Sequence, residues 1–106
     1  MPPLTRSVLS LKMNLYTIIF DYRGGTYISQ VEAEDENQAL ILWGQNINPE
    51  EIQFLGKKLK EKLNKEIHEM LYEIESGPTP INRVKNCWCA GIFLSGLVDI
   101  IKTAKK

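Results

Sequence analysis

The chain has 106 residues, which is enough for one domain and too few for two. Its composition, 43% hydrophobic and 25% charged, suits a globular protein. Its 13 lysines and arginines balance 13 aspartates and glutamates, which excludes a general electrostatic attraction to nucleic acid or to an anionic membrane. No apolar run approaches the roughly 20 residues of a membrane span, and two cysteines cannot form the disulfide framework of a small secreted protein, so we expect a cytoplasmic protein that does not bind a membrane.

Residues 1–12 contain two prolines and show no clear periodicity. We interpret them as an N-terminal tail or extension, followed by a single domain at residues 13–106. An alternative interpretation is that the working domain begins at Met13 and that an upstream start adds the first twelve residues.

A first hairpin is predicted directly after this tail. Apolar and more polar residues alternate there with period 2, which indicates a strand with one buried face, and the buried set is Tyr16, Ile18, Phe20 and Tyr22. Gly24-Gly25 suits a two-residue turn, so that Tyr22 faces Tyr27 on the returning strand. The aromatic row offers a stacking platform for a base or a small molecule as an alternative, but helices need an apolar surface to cover and we favour a core role.

Two helices are predicted next. Asp35 is a good N-cap for a short helix that ends at Gly44 or frays to Asn46. The longest pattern of the chain runs over residues 48–75 and predicts one amphipathic helix, capped by Asn48 with Pro49 at its first position. Its apolar residues recur about every 3.7 positions, the period of a straight helix that lies on a sheet, at Ile52, Leu55, Leu59, Leu63, Ile67, Met70 and Ile74. A helix of about 39 Å would overhang the sheet, and we expect a second copy of the chain or another protein to cover its end.

A second hairpin is predicted around Ser95-Gly96, with Leu94 facing Leu97. Both faces of this strand pair are largely apolar, so that one face fills the core and the other binds something or is covered. We assign the bulkier face to the core, with Trp88, Ile92, Leu94 and Leu97. The predicted interaction face is the opposite one, made of Cys87, Cys89, Phe93, Val98 and Ile100.

The order strand-strand-helix-helix-strand-strand predicts a two-layer α+β fold. A four-stranded, mostly antiparallel sheet carries two helices packed on one face.

Cys87-Trp88-Cys89 is the first candidate for chemistry. On a strand these two cysteines face the same way with Cα atoms up to about 7 Å apart, at the limit of disulfide reach. Zinc needs about four ligands, and the chain offers one histidine beyond them. We favour structural cysteines that pack as small apolar residues; metal shared across an oligomer and thiol chemistry are the alternatives, and no cofactor is expected.

A lysine-rich segment is the second candidate. Its members are Lys57, Lys58, Lys60, Lys62 and Lys65. Glutamates at helical i, i+4 spacing can form ion pairs with several of these lysines, which favours a solvated helix face. Contact with nucleic-acid phosphates is the alternative.

The sequence therefore favours a non-enzymatic protein that acts by protein association, as a homo-oligomer, an adaptor, or an antitoxin-type or immunity-type partner. Nucleic-acid binding by the lysine segment is the alternative function. A thiol-dependent or metal-binding protein that uses Cys87 and Cys89 is the third.

Overall fold

The computed structural model describes residues 13–73, 77–92 and 96–104. Its elements are β1 (Asn14–Tyr22), β2 (Gly25–Ala33), α1 (Glu36–Asn46), α2 (Gly56–His68) with a following π-helical segment (Glu69–Glu73), β3 (Thr79–Pro80), β4 (Cys87–Ile92) and β5 (Gly96–Thr103). The strands form one antiparallel sheet in the order β2-β1-β5-β4-β3. The predicted α+β fold is confirmed, and the short β3 adds a fifth strand to the predicted four. The predicted tail, residues 1–12, lies outside the described residues.

The first hairpin turns at Arg23-Gly24, because Tyr22 pairs with Gly25. Both turn residues have positive φ, 48° and 86°, as the hairpin turn that matches strand twist requires, and glycine adopts this conformation without strain. The predicted turn at Gly24-Gly25 was therefore one residue late, and Phe20 rather than Tyr22 faces Tyr27. The register moves by two residues, so every side chain keeps its predicted face.

The buried face of β1 supplies the centre of the core, as predicted. Tyr16, Ile18, Phe20 and Tyr22 are all nearly or fully buried. The Phe20 ring meets the Trp43 ring of α1 edge-on at 5.0 Å between centroids and stacks on Tyr22 at 5.4 Å. These contacts join the sheet to the helical layer.

The predicted single helix over residues 48–75 is wrong in its first third. Asn48 accepts a hydrogen bond from the Glu50 backbone at 3.0 Å, but turns rather than a helix follow it. Phe54 and Gly56 both have φ of 66°, which interrupts a right-handed helix, and α2 begins only at Gly56. The 13 residues of α2 span about 20 Å, so the argument for an overhanging helix fails.

The described members of the apolar stripe are nevertheless buried or partly buried, as predicted, and Ile74 lies outside the described residues. Leu63 and Ile67 of α2 lie in the core, and Ile52 and Leu55 reach it from the turns that precede the helix. The predicted period thus identified which residues face the sheet without identifying their backbone conformation. Among the described residues, no helix has the length and apolar composition needed to cross a membrane.

Helix α1 begins as predicted, with the Asp35 carboxylate accepting the Gln38 N–H at 2.8 Å. It continues through Gly44 to Asn46. A Cβ at Gly44 would lie 2.5 Å from the Asn64 Oδ1 atom and 2.8 Å from Ile67, so glycine here allows the two helices to approach closely. Asn64 Nδ2 donates to the Gly44 carbonyl at 2.9 Å across that contact.

The second hairpin has a different register from the predicted one. Ile92 pairs with Gly96, and Trp88 pairs with Ile100, so three residues, 93–95, connect β4 to β5 where a two-residue turn was predicted. The shift is three residues, an odd number, and it exchanges the two faces of β5 relative to β4. Val98 and Ile100, predicted on an outer surface, are fully buried, and Leu97, predicted in the core, is 41% exposed.

This register predicts unequal costs for two truncations on β5. Ile100→Ala should lower the free energy of unfolding by about 3 kcal/mol, because it leaves a cavity in the core. Leu97→Ala should lower it by less than about 1 kcal/mol, because its side chain is partly in water. Urea denaturation of the two variants and the wild type measures both values, and equal costs would contradict the register.

Candidate interaction surface

One face of the sheet carries the helices and the other does not. We call the second one the open sheet face; its described members are Leu15, Thr17, Ile19 and Asp21 of β1, Thr26, Ile28, Gln30 and Glu32 of β2, Leu97, Asp99, Ile101 and Thr103 of β5, Cys87, Cys89 and Gly91 of β4, and Thr79 of β3. None of these side chains is buried. No described element therefore covers this face.

The centre of the open sheet face is apolar. Ile28 pairs with Ile19, and Ile28 is 67% exposed although it lies in the middle of its strand. Leu97 and Ile101 flank Asp99 on β5, next to Ile19 of β1. Exposed aliphatic residues that adjoin across strands form a patch, in contrast to apolar residues scattered singly over a surface.

The polar residues of this face pair with one another. The Thr17 and Thr103 hydroxyls lie 2.6 Å apart, and Gln30 Nε2 donates to the Thr17 hydroxyl at 3.1 Å. The Thr26 hydroxyl donates to the Asp21 carboxylate at 2.7 Å. These bonds stiffen the polar margins around the apolar centre.

The charges of the open sheet face all have the same sign. Asp21, Glu32 and Asp99 are acidic, and the described residues of this face include no lysine or arginine. A complementary partner would therefore carry positive charge around an apolar centre.

Cys87 and Cys89 both lie on this face as free, half-buried thiols. Burial raises the pKa of the Cys89 thiol, and the neighbouring Asp99 carboxylate raises that pKa further by its charge and by accepting a hydrogen bond from the thiol. A thiol with a raised pKa is a poor nucleophile and a poor metal ligand at neutral pH. Among the described residues, no three His, Cys, Asp or Glu side chains are grouped so that they could hold a metal ion.

No protein-family model, curated protein or solved structure matches this chain. The function is therefore inferred from the residues and their geometry.

The structure divides the predicted interaction face into three parts. Cys87 and Cys89 lie on the open sheet face, Val98 and Ile100 lie in the core, and Phe93 lies outside the described residues. Sequence reasoning missed Ile28 and Leu97, the two most exposed aliphatic residues of the face. Ile28 could have been found, because its place opposite the buried alternation of β1 already put it on the outer side.

The predicted basic surface lies on α2. Lys57, Lys58, Lys62 and Lys65 are exposed, and Lys60 is half-buried. With five lysines and two glutamates in its sequence, α2 carries an excess of positive charge. It belongs to the helical layer, on the side of the sheet away from the open sheet face.

The raised pKa of Cys89 predicts a measurable delay in its alkylation as pH rises. In a Cys87→Ser background, Cys89 should reach half its maximal rate with iodoacetamide above the pH of a free cysteine, because less thiolate is present at any given pH. Adding Asp99→Asn should move that midpoint to lower pH, yet leave it above the free value, because burial is the larger cause. A midpoint that Asp99→Asn does not move would contradict the assigned contact.

Proposed function

We propose that this chain acts without catalysis, by binding another protein through the open sheet face. The observation that carries the proposal is the exposure of Ile28 and Leu97 on a face of the sheet that no described element covers. Burying such a patch against a partner removes apolar surface from water, which is the main favourable term in most associations. An adaptor or an antitoxin-type or immunity-type partner acts in this way.

The charges of the face favour one kind of partner. Asp21, Glu32 and Asp99 would approach their own copies if two open sheet faces met, and like charges brought together out of water oppose binding. The occupant we propose is a different protein with an apolar centre and basic margins. Self-association, which the sequence also favoured, would then need another part of the sheet.

Thiol chemistry is a weaker proposal, since burial and Asp99 hold the pKa of Cys89 above its ordinary value. We place the protein in the cytoplasm, where free thiols such as Cys87 and Cys89 stay reduced.

Leu97→Glu tests the proposed surface. We expect the immobilised variant to capture at least tenfold less of the partner that the wild type takes from a cell lysate, because a buried carboxylate replaces a buried aliphatic side chain in the complex. Quantitative mass spectrometry of the bound proteins measures the ratio. Charge reversal at Asp21, as Asp21→Lys, should weaken the same complex, and less so at high salt.

Val84→Glu is the matched control, because Val84 is 50% exposed and lies in the connection between β3 and β4, outside the residues of the open sheet face. It should capture the partner as the wild type does. If Leu97→Glu and Val84→Glu retain the same proteins as the wild type, the open sheet face is not the binding surface and the proposal is wrong.

Nucleic-acid binding by α2 is the second candidate, favoured by the exposure of Lys57, Lys58, Lys62 and Lys65. Glu61 and Glu66 lie among these lysines on the same helix, and they oppose phosphate contact. We expect weak binding of a labelled single-stranded RNA or duplex DNA in low salt, and its loss at about 150 mM salt. Fluorescence anisotropy measures it; tight binding at 150 mM salt that Lys58→Glu with Lys65→Glu abolishes would favour this second function instead.

A further inference from the structure

The two edges of the sheet are protected to different degrees. The β3 edge is two residues long and includes Pro80, which has no N–H to offer. The β2 edge is nine residues long, pairs with β1 without a bulge and contains no proline or lysine; its charged residue is Glu32. Proteins usually block long regular edges because such edges recruit other strands. The β2 edge therefore has the features of a strand that is paired in the working assembly.

The backbone groups of β2 alternate between the two sides of the strand. Tyr22 and Gly25 flank the two-residue turn and form a hydrogen-bonded pair, and bonded and non-bonded pairs then alternate along the hairpin. The residues that direct both N–H and C=O away from β1 are accordingly Thr26, Ile28, Gln30 and Glu32. Among them, Thr26, Ile28 and Gln30 are evenly spaced and present donors and acceptors to an added strand.

A groove of about 530 Å³ runs along this edge. Tyr27, Val31 and Trp43 line it from the sheet and α1, and the connection between α1 and α2 forms its opposite wall at Ile47 and Ile52. It gives the side chains of an added strand a place on the helical side of the sheet.

We propose that the β2 edge pairs antiparallel with β2 of a second copy of this chain, around a two-fold axis near Ser29. In that register Ile28 lies opposite the second copy's Gln30, and by symmetry Gln30 lies opposite its Ile28, so the outward backbone groups of these two residues meet in both copies. The inference rests on the proposed function only in that both require protein association; the surface is a different one.

The charges at the ends of β2 favour a second copy as the occupant. An axis at Ser29 brings the turn that precedes β2, with Arg23, towards the end of the second copy's β2, where Glu34 and Asp35 follow the strand, and the symmetry repeats this approach at the other end. Arg23 and both acids are exposed. Opposite charges therefore meet twice in the antiparallel register, whereas a parallel pair would set like charges side by side.

The helical layer is held against the beginning of β2 by two hydrogen bonds. Tyr27 accepts a hydrogen bond from the Gln53 backbone at 3.2 Å, and Tyr22 donates to the Phe54 carbonyl at 3.4 Å, so the connection before α2 covers the beginning of β2. The axis sets the second copy's Tyr27 level with Val31, about 13 Å along the strand.

Gln30→Pro tests the pairing. Proline at this position removes an N–H that points to the open edge and leaves the β1–β2 ladder intact, so we expect a folded monomer where the wild type is a dimer. Gln30→Ala is the matched control, because it loses the same side chain and keeps the N–H, and it should remain dimeric. Light scattering coupled to size exclusion over a hundredfold concentration range measures the state, and circular dichroism confirms folding.

Arg23→Glu is a second test that leaves the strand backbone unchanged. It should raise the dimer dissociation constant roughly threefold to tenfold in low salt, with a smaller change in high salt. Arg83→Glu should have no effect, since Arg83 is an exposed turn residue with the same positive φ outside β2.

Three results overturn the inference, of which the first two are a wild type that is monomeric at every concentration and a dimer that Gln30→Pro leaves intact. The first two leave partner capture by the open sheet face standing. Loss of partner capture in Gln30→Pro alone would instead show that a strand of another protein occupies the β2 edge, and would also overturn it.

Discussion

The burial of Phe20 determines which face of the sheet packs against the helices. Its ring lies fully buried between the Trp43 ring of α1 and the Tyr22 ring of its own strand. Because β1 is the central strand between β2 and β5, the direction of this one side chain decides which face of the whole sheet is covered. Val98 is paired with Phe20 and must share its face. The residues that alternate with them along each strand, such as Ile19 and Leu97, therefore lie on the open sheet face.

How well the sequence predicted the two faces of the sheet depended on whether the error in strand register was an even or an odd number of residues. Along β1 one set of alternate residues is clearly more aromatic, so the inner face was identified. An error of two residues in the register of this hairpin did not change which face each side chain occupies. Along β4 and β5 both sets are apolar, and nothing local distinguishes Leu97 from Val98. An error of three residues there exchanged core and surface. Only the pairing of Val98 with Phe20 on β1, a contact between distant parts of the chain, fixes that choice.

The region before α2 shows the limit of periodicity in another way. Ile52 and Leu55 continue the apolar spacing of α2 and are buried with it, yet their backbone forms turns. The spacing of apolar residues indicates which side chains are buried, but several backbone conformations are compatible with the same spacing. The sign of φ at Phe54 is not visible in sequence, because a bulky residue rarely adopts a positive value; here the Arg23 guanidinium lies over the Phe54 ring at 4.7 Å and helps to hold it.

The neutral composition of the chain conceals two local charge excesses that lie apart on its surface. The helical layer carries the lysine excess of α2, whereas the charged residues of the open sheet face are Asp21, Glu32 and Asp99. A net charge of zero excludes a uniform field around the molecule, but it leaves a basic surface on α2 and an acidic margin on the open sheet face. A dimer formed edge to edge through β2 would preserve that separation, because a two-fold axis perpendicular to the sheet keeps both helical layers on one side and joins two acidic, apolar faces into one larger surface.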